Sequence, residues 1–122
     1  MRFIALLFCL CTVGFAETWS GYLVDSSCWR NRQENVSLDT SPVSRNMRMD
    51  LFYCLPTAKT KRFAVVLPDW SALLLDSAGN ERAADLVRRA GKRPLIDVTV
   101  SGVRNGKTIL AASIPAMSIR KR

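Results

Sequence analysis

The stretch SALLLDSAGNERAADLVRRAGKRPLIDVTVSGVRNG, residues 71–106, decides the fold, because it sets a strand, a helix and a second strand in immediate succession. The apolar run Ser71–Asp76 reads as a strand, and Asp76-Ser77-Ala78-Gly79-Asn80 as the loop that ends it. Asn80 is placed to cap a helix running to about Ala90, in which Ala83, Leu86, Val87 and Ala90 share one face while Arg82, Asp85, Arg88 and Arg89 face water. Gly91 supplies the stop. Leu95–Val103 then alternates, with Ile96, Val98 and Val100 on one side and Asp97, Thr99 and Ser101 on the other. Asn105-Gly106 is a tight-turn signal, so Lys107–Ile114 is expected to pair back as a final strand.

Upstream, Arg62–Leu67 is a second apolar run, joined to Ser71–Asp76 through Pro68-Asp69-Trp70 as a hairpin. Trp19, Gly21 and Leu23 alternate with Ser20, Tyr22 and Val24, which makes Thr18–Asp25 the first strand, with Gly21 where the chain bends or another backbone comes close. Ser26–Ser44 is polar and interrupted by Asn31, Asn35, Asp39 and Pro42, and reads as a long irregular excursion. Asn46–Leu55 fits a short helix, since Met47, Leu51 and Cys54 lie at helical spacing and Pro56 ends the run. The order strand, excursion with short helix, strand, strand, helix, strand, strand predicts a mainly β domain, a five-stranded OB-like barrel plugged by its helix. An open α+β sheet is the alternative.

The amino terminus sets the compartment. Arg2 precedes an apolar run from Phe3 to Val13, and Val13-Gly14-Phe15-Ala16 places small residues where a signal peptidase reads, which predicts export by a signal peptide of residues 1–16. The remaining Glu17–Arg122 has 106 residues, enough for one domain. It keeps 17 of the 18 Lys and Arg against ten Asp and Glu, a formal charge of +7 where the whole chain has +8. That balance favours an anionic partner. Cys9 and Cys11 leave with the signal, so Cys28 and Cys54 meet an oxidising, secreted or periplasmic environment as a disulfide pair, read as a structural staple ahead of a redox-active pair.

The chain has no histidine, which excludes Ser/His/Asp and Cys/His catalysis and histidine-based metal sites, and two cysteines cannot build a Cys₄ centre. No catalytic residues, metal or cofactor are assigned. Asp25 beside Ser26 and Ser27 reads as a strand end and turn. Trp19, Tyr22 and Trp29 are candidates for a ligand groove, against the reading that they pack the excursion onto the barrel. Arg88, Arg89, Lys92 and Arg93 are candidates for anion binding, against a generally solvated basic surface. The second and third strands lack the interleaved basic and aromatic residues that single-stranded nucleic acid requires.

The segments Trp19-Ser-Gly-Tyr-Leu-Val-Asp-Ser-Ser-Cys28, Phe63-Ala-Val-Val, Leu75-Asp-Ser-Ala-Gly-Asn80 and Val98-Thr-Val-Ser-Gly102, with Ile109 and Ser113-Ile114, resemble a family of small secreted bacterial domains of unknown function. The resemblance spans nearly all of residues 17–122 and implies an OB-like barrel opening on a W-x-G-x-x-x-D-x-x-C strand. Many members carry a histidine and a further cysteine in the excursion, which this chain lacks. The family supplies no activity, and fold alone implies none. The sequence therefore leads to a non-enzymatic binding or interaction module for an anionic envelope component or glycan. The alternative is a structural or stress-related envelope protein without a small-molecule ligand, and a hydrolase using carboxylates such as Asp25 and Asp50 stands third.

Overall fold

The computed structural model describes residues 16–36, 47–91 and 95–120; the expected export segment lies outside them but for its last residue. The elements run β1 (Glu17–Asp25), α1 (Ser26–Val36), α2 (Met47–Tyr53), β2 (Phe63–Val66), β3 (Ala72–Leu75), α3 (Ser77–Ala90), β4 (Leu95–Asn105) and β5 (Thr108–Arg120). The five strands close into a ring in the order β1-β2-β3-β5-β4. Every neighbouring pair is antiparallel except β3 and β5. The chain is thus mainly β with three helices among the described residues, and the open-sheet alternative gives way to a closed one.

Strand alternation divides the apolar residues between two clusters. Leu23, Phe63, Val65, Leu73, Leu75, Ile96, Val98, Val100 and Ile109 point inside the ring, where Ala83 and Val87 of α3 join them. The intervening Val24, Ala64 and Val66 point outward and form a second cluster with Trp29 of α1, Leu51 of α2, Cys54 and Leu55. β2 is therefore apolar throughout because both its faces are covered.

Two elements differ from the sequence reading. The excursion expected to be irregular from Ser26 begins with α1, an eleven-residue helix. Asp25 starts it, its Oδ1 accepting the Cys28 backbone N–H at 3.1 Å. Apolar periodicity missed this helix because its inward stripe of Cys28, Trp29, Arg32 and Gln33 carries one large apolar side chain. The remainder of the expected excursion, residues 37–44, lies outside the described residues, as does Asn46, the expected start of the short helix.

Helix α3 starts at Ser77 and is capped by Asp76, whereas the sequence pointed to Asn80. Gly79 suggested a loop, yet it lies inside the helix: a Cβ there would stand 2.7 Å from that of Ala112, so the missing side chain permits close packing of helix on strand. Asn80 does different work, its Oδ1 accepting the N–H of Phe63 at 3.0 Å at the start of β2. The final turn also falls one residue late, at Gly106-Lys107, with Asn105 still paired to Thr108.

Asp76 ties three elements together. Its Oδ1 accepts from Gly79 N–H at 3.0 Å, and its Oδ2 accepts from Ala111 N–H at 2.7 Å, where β5 takes a positive φ of 52°. Register slips between β4 and β5 on both sides of Ser101, so β5 twice carries an extra residue, and Asp76 holds the first bulge. Asp76→Ala removes a helix cap and a charged acceptor, and should destabilise the protein by about 2–3 kcal/mol in urea unfolding. Asp76→Asn, which retains one acceptor oxygen, should fall between this variant and wild type.

Candidate functional site: a basic cleft beside helix α3

The loop from Thr57 to Arg62 is fixed by short-range bonds. Thr60 N–H donates to Thr57 O at 3.0 Å, Thr57 N–H donates to Thr60 Oγ1 at 3.0 Å, and Lys59 N–H donates to Thr57 Oγ1 at 3.2 Å. Thr60 is itself buried, and its hydroxyl donates to Asp25 Oδ2 at 3.1 Å. The Ser26 N–H donates to Arg62 O at 3.0 Å. Burial of Thr60 leaves Lys59, Lys61 and Arg62 projecting to solvent from a loop that cannot swing freely.

Opposite this loop, α3 presents Ser77, Asn80, Glu81, Ala84, Asp85 and Arg88, a stripe at helical spacing. Between the two walls is a surface cleft of about 1020 Å³. Four cations reach it, Lys59, Lys61, Arg62 and Arg88, against the carboxylates of Glu81 and Asp85. Arg88 and Asp85 pair at 3.2 Å, but both are well exposed, so that pair contributes little. Lys59, Lys61 and Arg62 form no ion pair among the described residues. Asn80, with its Oδ1 given to Phe63, has its amide N–H groups to offer a ligand. The cleft can therefore hold an anion by charge and by hydrogen-bond donation together.

Of the expected anion-binding residues, Arg88 lines this cleft, Arg89 is exposed on α3 without lining it, and Lys92 and Arg93 lie outside the described residues. The cluster Lys59–Arg62 was visible in the sequence as charge. Its meeting with Arg88 was not, because it depends on Asp25 and Asn80 docking the loop against β1 and α3.

Trp19, Tyr22 and Trp29 do not come together as one groove. Trp19 shares the inward parity of Gly21 and Leu23 and packs on the barrel core, while Tyr22 shares the outward parity of Val24 and packs on the second cluster. Trp29 is buried within that second cluster, 4% exposed. Tyr22 and Trp29 thus pack the excursion helices onto the strands, as the alternative had it, whereas Trp19 packs on the inner cluster away from the excursion. Cys28 and Cys54 form the expected disulfide, with Cα atoms 5.5 Å apart.

Asp25 and Asp50 both serve structure. Asp25 binds Thr60 and the first turn of α1, and the buried Asp50 accepts from Arg32 Nε at 2.7 Å, joining α2 to α1. The Arg32 guanidinium also stacks 4.1 Å from the ring centre of Tyr53. No described helix is long and apolar enough to cross a membrane. No protein-family model matches the chain, and no curated protein or solved structure matches it significantly.

Proposed function

We propose that the chain is an exported, non-enzymatic module with an OB-like barrel, which binds an anionic envelope component or glycan through the cleft between loop 57–62 and α3. The convergence of Lys59, Lys61, Arg62 and Arg88 from two separate elements carries this reading. The ring order β1-β2-β3-β5-β4, with a helix between β3 and β4, supports the OB-like assignment. The disulfide is compatible with an oxidising, exported setting.

Oligonucleotide-binding barrels use the open face around their second and third strands. Here α1 and α2 cover the outer face of β1 and β2, and β3 adds only the exposed Leu74 and the half-buried Ala72 on that side, which supports a partner other than nucleic acid. The same coverage favours the second reading, a structural envelope protein without a ligand. Binding to a sulfated polysaccharide, followed by elution in rising salt, separates the two. Lys59→Ala/Lys61→Ala/Arg62→Ala should weaken binding by about 2 kcal/mol, roughly 30-fold, and flatten its salt dependence. Equal retention of the triple variant and wild type would refute the cleft assignment and leave the structural reading.

A further inference from the structure

The turn between β2 and β3 holds a residue that packing does not explain. Trp70 adopts a positive φ of 68°, a left-handed backbone that disfavours bulky side chains. It is 38% exposed and belongs to neither apolar cluster. The turn itself is well bonded, with Leu67 N–H donating to Ser71 O and Trp70 N–H to Leu67 O, both at 2.8 Å. Asp69 Oδ1 accepts from the Ser71 hydroxyl at 2.6 Å and from the Ser71 N–H at 3.0 Å. Those bonds hold its carboxyl below the usual aspartate range, so it is an anion at neutral pH. Glycine or asparagine would occupy position 70 without strain, and the exposed indole is held outward at a conformational cost.

The indole borders a cleft of about 420 Å³, whose other walls are Gln33 of α1, Met47 of α2, Asp69 and Ser71. Its size falls within the range of small-molecule sites. Its chemistry is a flat aromatic face and a thioether, with a carboxylate, an amide and a hydroxyl around them. A ligand suited to it has one flat C–H face and a rim of hydroxyls that both donate and accept, which is the form of a pyranose ring. The carboxylate of Asp69 opposes an anionic ligand, and its Oδ2, outside the two Ser71 bonds, is an acceptor for a ligand hydroxyl. Cation recognition by aromatic cages uses several rings, and among the described residues this cleft has one.

We infer that the Trp70 cleft is a binding site for the pyranose ring of an uncharged saccharide, with the indole as stacking platform and Asp69 and Ser71 as partners for ring hydroxyls. The site is separate from the basic cleft and stands whether or not that cleft binds anions. The test follows the indole N–H resonances of the three tryptophans in the ¹⁵N-labelled, disulfide-bonded protein during titration with cellobiose, chitobiose and maltose to tens of millimolar. At least one sugar should shift the Trp70 indole saturably and leave Trp29 in place. Trp70→Gly relieves the backbone and should fold at least as well as wild type, yet weaken that binding by about ten-fold or more. An unmoved Trp70 indole with all three sugars, unchanged affinity in Trp70→Gly, or a response to tetramethylammonium in place of the sugars would each overturn the assignment.

Discussion

Replacing both cysteines, as Cys28→Ala/Cys54→Ala, is expected to lower stability by about 3.5 kcal/mol, because the disulfide closes a loop with a sequence separation of 26 residues. For a domain of this size that corresponds to roughly 15 °C in melting temperature. The double substitution is preferred to a single one, since Cys54 is buried and an unpaired thiol or hydroxyl there would add a second cost. The loss should also be uneven. The disulfide joins α1 to the end of α2, and those helices bury only the outer cluster around Val24, Ala64 and Val66. The inner cluster is built from strands and α3 and does not include them. Hydrogen exchange should therefore show α1 and α2 losing protection well before β4 and α3. Uniform loss across all elements would show that the two clusters unfold as one. A change below about 1 kcal/mol would show that Arg32–Asp50 and the buried Trp29 hold the helices without the disulfide.

The same division explains which parts of the fold could be read from sequence. β4 announced itself through Ile96, Val98 and Val100, since one of its faces meets the core and the other carries Asp97, Thr99 and Ser101. β2 gave no such alternation and was recognised only as an apolar run, because α1 and α2 cover its second face. α1 was missed for the complementary reason: a helix packing through Trp29, a disulfide and an ion pair shows no apolar stripe. Its legible signal was Asp25 three residues before Cys28, the spacing of a capping carboxylate. The basic cleft was half legible. Lys59, Lys61 and Arg62 stand together in sequence, but their alignment with Arg88 rests on Thr60 reaching Asp25, a contact across 35 residues.

Gly21→Ala should cost about 3 kcal/mol or more, because the obstacle to the added methyl is backbone. A Cβ at position 21 would lie well inside contact distance of the Val66 carbonyl oxygen, 2.8 Å from the Val66 carbonyl carbon and 3.0 Å from Val65 Cγ1. Gly21 also stands where β1 passes from one partner to another: Glu17–Tyr22 pair with β4, and Tyr22–Asp25 pair with β2. Ring closure requires the strand to turn between these partners, and the absent side chain lets β2 come close at the bend. A side chain cannot rotate out of the way of a carbonyl fixed in a ladder, so relief would require β1 and β2 to part beside Leu23, Val65 and Phe63. Gly106 provides the control. It has a positive φ of 62° but open space around its Cβ direction, so Gly106→Ala should cost only about 1 kcal/mol through backbone conformation. Urea unfolding of the two variants side by side separates close approach from backbone freedom. If Gly21→Ala cost no more than Gly106→Ala, β1 and β2 would have room to separate, and the tight closure of the ring at this point would be wrong.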